Sequence, residues 1–160
     1  MRARRTGARP ISIVVWCTAV LALAGVARPV SAQSLLPVQG LHFGVLQPGT
    51  TLRISPDDPG RAIVDVVGSG KFSLQLMVPS FMVSAQGAQM PLDILPGDAV
   101  IRWRNGSTHG LTPGGTTAIN LPKGQAPGVI HIGGSARPGA AQPPGSYSAT
   151  IVVQIVAPGT

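Results

Sequence analysis

The stretch Lys71-Phe-Ser-Leu-Gln-Leu-Met-Val78 decides the fold class. Phe72, Leu74, Leu76 and Val78 alternate with Ser73, Gln75 and Met77. A period of two places one set on each side of an extended strand, so this segment predicts a strand with one dry and one wetter face. Working outward, the neighbouring segments carry the same signature in shorter form. Arg61–Val67 is rich in β-branched residues, and "GSGK" (Gly68–Lys71) separates it from the alternating run as a hairpin turn. Leu41–Leu46, Thr51–Ser55, Phe81–Ser84, Met90–Ile94, Ala99–Arg104, Thr116–Leu121 and Val129–Ile132 read as further strands. In the first of these, Leu41, Phe43 and Val45 oppose His42, Gly44 and Leu46. The turns between them are written in proline, glycine and aspartate, most plainly in "PDDPG" (56–60).

The closing segment Tyr147–Val156 reads as one long strand. Tyr147, Ala149, Ile151, Val153 and Ile155 share a face, while Ser148, Thr150, Val152, Gln154 and Val156 share the other. An unbroken apolar face predicts that this strand lines a core between two sheets of its own domain. The candidate core is Phe43, Phe72, Leu74, Leu76, Trp103, Tyr147, Ile151 and Val153. The "GGSARPGAAQPPG" stretch (133–145) is expected to be a turn-rich connection, and "NGSTHGLTPGG" (105–115) a loop. Residues 33–40 are expected to be a short lead-in with Pro37 preventing a strand. Many short strands with turn signals, 21 glycines and 16 prolines point to an all-β, Ig-like antiparallel β-sandwich.

The first 32 residues stand apart. Arg2, Arg4, Arg5 and Arg9 precede an apolar run from Ile11 to Ala27, and Val30-Ser31-Ala32 supplies small residues at the −3 and −1 positions of a cleavage site. This is the pattern of a signal peptide cut between Ala32 and Gln33. The run falls short of the ~20 residues a spanning helix needs. The expected organisation is therefore a signal peptide (1–32), the lead-in (33–40) and one sandwich domain (41–160), exported to the periplasm, cell surface or medium, with no stable membrane span after cleavage. Five arginines lie in the leader, so the formal charge of +7 falls to +2 without them. A charge that small gives no reason to expect nucleic acid as a partner. The single cysteine, Cys17, also lies in the leader, leaving the domain to be held by burial and backbone ladders.

Candidate chemistry is sparse. The chain has no glutamate and five aspartates, at 57, 58, 65, 93 and 98. "GSGK" fails as a phosphate loop because Asp65 stands at the first glycine position and Phe72 at the Ser/Thr position. His42, His109 and His131 lack the close spacing of zinc ligand pairs. Asp57-Asp58 reads as a turn before it reads as a cation site. Asp93 and Asp98 bracket a turn, "ILPG", rather than mark a glycosidase cleft. The nucleophile elbow of serine hydrolases is absent. No catalytic, cofactor-binding or metal residues are expected, and no cofactor.

The opening "LHFGVLQPGT" (41–50) and the close "GVIHIGGSARPGAAQPPGSYSATIVVQIV" (128–156) together resemble a family of secreted bacterial β-sandwich domains of unknown function. That family is related to spore-coat-U-like and fimbrial major-subunit proteins. The resemblance spans Leu41 to Val156. It implies a cell-surface or fimbria-like structural role, with other surface or fimbrial proteins, or further copies of the chain, as partners. It carries over no catalytic residue. The chain departs from pilins in lacking a disulfide in the domain and in having the short, proline-interrupted "QSLLPVQG" (33–40), which argues against polymerisation through the N-terminus. The expected function is an exported, non-enzymatic structural subunit. The second reading is a secreted binding module for glycan or another surface protein, with Asn105–Gly115 as its contact loop; a small secreted hydrolase is a distant third.

Overall fold

The computed structural model describes residues 33–68, 70–121 and 128–156, all within one compact unit of residues 31–160. The leader, Cys17 and the cleavage-site residue Ala32 lie outside the described residues. Among those described, the chain is all-β: thirteen strands and no helix. No described helix is long and apolar enough to cross a membrane.

The Lys71–Val78 pattern folds as its period requires. It forms β4 (Gly70–Met77), with Phe72, Leu74 and Leu76 all but fully buried and Met77 exposed. Burying each such side chain contributes about 1.5–3 kcal/mol. β4 is the middle strand of a sheet of three, between β9 (Thr116–Leu121) and β13 (Val152–Val156). A second sheet runs in the order β1 (Ser34–Gln39), β3 (Ala62–Val67), β10 (Gly128–Ile132), β7 (Ala99–Arg102) and β8 (Thr108–Gly110). A third runs β12 (Tyr147–Ser148), β5 (Phe81–Ser84), β6 (Gln89–Asp93), β11 (Gly134–Ala136) and β2 (Leu52–Ile54). Every named strand pair is antiparallel. Val66, Leu74, Met82, Leu92, Ile101 and Ile130, drawn from all three sheets, belong to one hydrophobic cluster, so the sheets enclose a single core as a sandwich does.

Several expectations are corrected. Residues 34–39 are a strand, not a lead-in. β1 pairs with β3 alone, with a register shift between Pro37 and Gln39. Pro37 is tolerated because an edge strand has one side without ladder bonds, where a missing N–H costs nothing. Leu41–Leu46 is not a strand. Gly44 adopts φ +68 and reverses the alternation, leaving Val45 98% exposed and turning Leu46 toward the core. The Gly68–Gly70 turn does not close a hairpin, since β3 and β4 belong to different sheets. Its two described glycines have positive φ, which steers the chain across. The loop 105–115 contains β8, paired with β7, and the connection 133–145 contains β11, paired with both β2 and β6.

The closing segment is two strands rather than one. Tyr147 pairs with Ser84 in one sheet, and Val152 pairs with Met77 in another. Between these ladders, residues 149–151 stand against residues 78–82, and Pro79 sits in that offset with no N–H to donate. The segment is completed by its own domain. Its apolar face is nonetheless only half covered: Tyr147, Ile151, Val153 and Ile155 pack against the core as partly buried residues, and Ala149 is exposed. Phe43 and Trp103 are likewise half-buried against the core.

Candidate docking cleft

The incompletely covered face of Tyr147–Val153 lines a cleft. On one side run the end of β1 and the coil that follows it; on the other runs the closing segment. One cavity, of about 610 Å³, reaches down to Ala62, Val64, Leu92 and Ile132, with Val38 and Val153 among its walls. A second, of about 660 Å³, lies toward Pro48, Pro138 and Pro143. The two share Leu41, His42, Phe43, Met82 and Tyr147 as lining residues, so they adjoin along that wall. None of the lining residues is Asp, Glu, Lys or Arg.

Local chemistry holds each wall. His42 N–H donates to Gly60 O at 2.8 Å, and Gln39 Nε2 donates to Pro59 O at 2.7 Å and Arg61 O at 2.9 Å. These bonds tie the 39–42 wall to the "PDDPG" turn. No Cβ could stand at Gly60, since it would lie 2.6 Å from His42 O, so glycine is required for the close approach. On the opposite wall the Tyr147 hydroxyl accepts from Gln142 Nε2 and donates to Pro143 O, both at 2.7 Å. Gln142 Nε2 also donates to Gln89 O at 3.1 Å. The phenol's polar tip is thus fully engaged, and its ring faces the cleft as an apolar surface.

Four of the five aspartates are committed to partners away from this cleft. Asp98 is completely buried: Oδ1 accepts from Arg53 Nη2 at 2.6 Å, and Oδ2 accepts from Leu95 N–H at 3.0 Å. Asp93 pairs with Arg137 at 2.7 Å. Asp58 closes its own turn by accepting from Ser55 N–H at 2.6 Å, and Asp57 pairs with Arg102. Asp93 and Asp98 therefore neutralise two different arginines. The three histidines fall apart as well: His42 on the cleft rim, His109 exposed on β8, and His131 on β10. No group of three or more His, Cys, Asp or Glu residues placed to hold a metal exists among the described residues. In the 105–115 segment, Asn105 Oδ1 accepts from Ser107 N–H at 2.9 Å and Ser107 Oγ at 2.6 Å, which closes the turn between β7 and β8.

The His131 surroundings were not legible as a site. On the outer face of its sheet, His131 lies opposite Ile63 and Val100, beside the side chains of Arg61 and Arg102. Arg61 Nη1 donates to the carbonyls of Asp57 and Asp58, at 3.3 and 2.8 Å. Burial first, then the charges of Arg61 and Arg102, lower the His131 pKa from its ordinary 6.5, while the Pro56 backbone and Asp57 act in the opposite direction. Only the alternation of Arg102 with Ile101 and Trp103 hinted that a cation would lie on this face. Compared with known proteins, the chain matches no family model, no curated protein and no solved structure.

Proposed function

We propose that the chain is an exported, non-enzymatic β-sandwich protein, a cell-surface or fimbria-like structural subunit that works by docking a protein partner in the cleft between β1 and the closing segment. The observation that supports this reading is the cleft's lining: largely apolar, without Asp, Glu, Lys or Arg, and bordered by the edge strands β1 and β13. A hydrophobic surface of this kind suits protein association, and an edge strand offers backbone groups to an incoming extended segment. The resemblance to fimbria-related domains points the same way.

The test is association of the mature chain, residues 33–160. Sedimentation velocity over a wide concentration range, alone and with isolated surface proteins, should reveal association that Val153→Arg in the cleft abolishes. Val152→Arg, on the other face of the same strand, should leave association intact. A chain that stays monomeric, binds no surface protein and is retained on a polysaccharide column would overturn the structural reading in favour of a glycan-binding module.

A further inference from the structure

The chain has four methionines, and their settings differ. Met1 lies outside the described residues. Met77 is 40% exposed at the end of β4, on the face away from the core. Met82 on β5 and Met90 on β6 stand directly opposite each other. On either side of them, Leu92 N–H donates to Ser80 O at 3.0 Å and Ser84 N–H to Ala88 O at 2.9 Å. Bonded and unbonded pairs alternate along an antiparallel ladder, so Met82 and Met90 form a bonded pair with Cα atoms about 5.5 Å apart. Both side chains are buried on the inner face of their sheet, which sets two thioethers side by side.

That pair lies at the cleft. Met82 and Met90 both line the cavity of about 660 Å³, together with Phe43 and Tyr147, and Met82 lines the cavity of about 610 Å³ as well. The two methionines keep 7% and 5% of their surface open, whereas Leu74 and Leu76 of β4 keep 1%. Hydrogen peroxide is close to water in size, and a cavity many times the volume of one water admits it. The two sulfurs are thus held by the fold yet stand beside space that a small oxidant can enter. Residues 33–160 contain no cysteine, so no thiol of the domain competes for that oxidant.

We propose that Met82 and Met90 are a peroxide-reactive pair, reached through the cleft, whose oxidation turns part of the apolar lining polar. A thioether lone pair attacks one oxygen of hydrogen peroxide. The O–O bond breaks, an S–O bond forms, and the second oxygen leaves as water with both hydrogens. Each sulfur is oxidised by two electrons and the peroxide is reduced by two. The sulfoxide is polar and chiral where the thioether was apolar and flexible, and the lining offers no Lys or Arg to receive its oxygen. Because Met82 faces both cavities, its conversion alters the cleft along its length. The inference takes its functional meaning from the proposed docking role; the reactivity itself stands on the placement of the pair.

The experiment treats the mature chain, without a partner, with hydrogen peroxide at neutral pH and follows each methionine by fragment-ion mass spectrometry. Met77 should react first. Met82 and Met90 should follow at a rate that low, non-denaturing urea leaves unchanged, because the oxidant reaches them in the folded chain. A rate that climbs with urea along the full unfolding slope would mean that they react only in the unfolded chain, and the proposal would be overturned. A second arm compares oxidised wild type with oxidised Met82→Leu/Met90→Leu, in which Met77 alone can react and core volume is nearly conserved. Oxidation should shift the Phe43 and Tyr147 ring resonances and lower the urea midpoint of the wild type, and do neither in the double variant. Equal responses in the two proteins would overturn the pair as the site. If the double variant does not fold, the urea dependence in the wild type decides alone. Because no partner is present, an unreactive pair refutes this inference and leaves the cleft reading intact. A reactive pair in a chain that docks nothing refutes only the docking role.

Discussion

Substituting alanine for Gly128 tests the packing of the β-sandwich at a single atom. Gly128 opens β10 opposite Val66, and its side faces the core. A Cβ there would collide with Cζ3 and Cε3 of Trp103 and would lie 3.0 Å from Ile101 Cδ1. Ile101 is completely buried and has nowhere to go, so the indole must move. Overpacking of this kind costs about 1–3 kcal/mol. Working against it, replacing glycine by alanine within a strand gains roughly 0.5–1 kcal/mol of backbone entropy. The net expectation is a loss of about 0–2.5 kcal/mol, measured by urea denaturation with the slope checked for constancy. The diagnostic arm is a double-mutant cycle with Trp103→Val. Without the indole the obstruction is gone, and Gly128→Ala should become neutral or slightly stabilising. If Gly128→Ala costs the same in both backgrounds, the steric reasoning is refuted, and the glycine is required by the strand rather than by the ring.

Asp98→Ala should cost about 1–3 kcal/mol by urea denaturation, because it strips the Leu95 amide of its acceptor; Arg53→Ala should cost at least as much, since it leaves the completely buried Asp98 carboxylate without its countercharge. Ile151→Ala should cost more than Gln154→Ala, with Gln154→Ala within about 0.5 kcal/mol, since Gln154 is exposed and its side chain bonds only that of the half-buried Gln75. Ile151, half-buried on the cleft wall, should fall below the ~2–5 kcal/mol of a fully enclosed isoleucine; equality with Leu74→Ala would mean the cleft is closed in solution. Treatment with EDTA should leave the melting temperature unchanged, and a shift of several degrees would reveal a bound metal.

What could be read in advance was whatever depends on a period of two. Phe72, Leu74 and Leu76 sit where their alternation puts them because a strand's faces are fixed by the pleat and need no information about neighbours. The same logic found β5 and β9 at their observed bounds. It failed where a single torsion or a partner decides. Gly44 inverts the faces after Phe43 through its positive φ, which a pattern of apolar letters does not record. Pro37 argued against a strand, yet β1 is an edge, and only the sheet order reveals that. The closing segment kept its apolar face but changed sheets midway, because residues 78–82 opposite it include a proline-bearing offset. The cleft was invisible for a related reason. It is bounded by Val38 on β1 and Val153 on β13, more than a hundred residues apart in sequence. The His131 cluster likewise joins β10, β7, β3 and a turn, whose proximity follows from strand order alone.

The position of the closing segment in the pairing scheme also sets when the fold can be finished. Gln154 bonds to Gln75 across a separation of 79 residues, and Tyr147 pairs with Ser84 across a similar span. Pairings that distant must overcome a large loop-closure entropy before they return any energy, which slows folding and leaves it to be completed late. Until residues 147–156 arrive, β4 and β5 each lack their partner on one side, and the apolar face of Phe72, Leu74 and Leu76 has one fewer strand beside it. Two of the three sheets take an edge strand from this segment, so the fold cannot be finished before residues 147–156 have been delivered. Up to that moment one edge of β4 and one of β5 stand open to pairing with other chains.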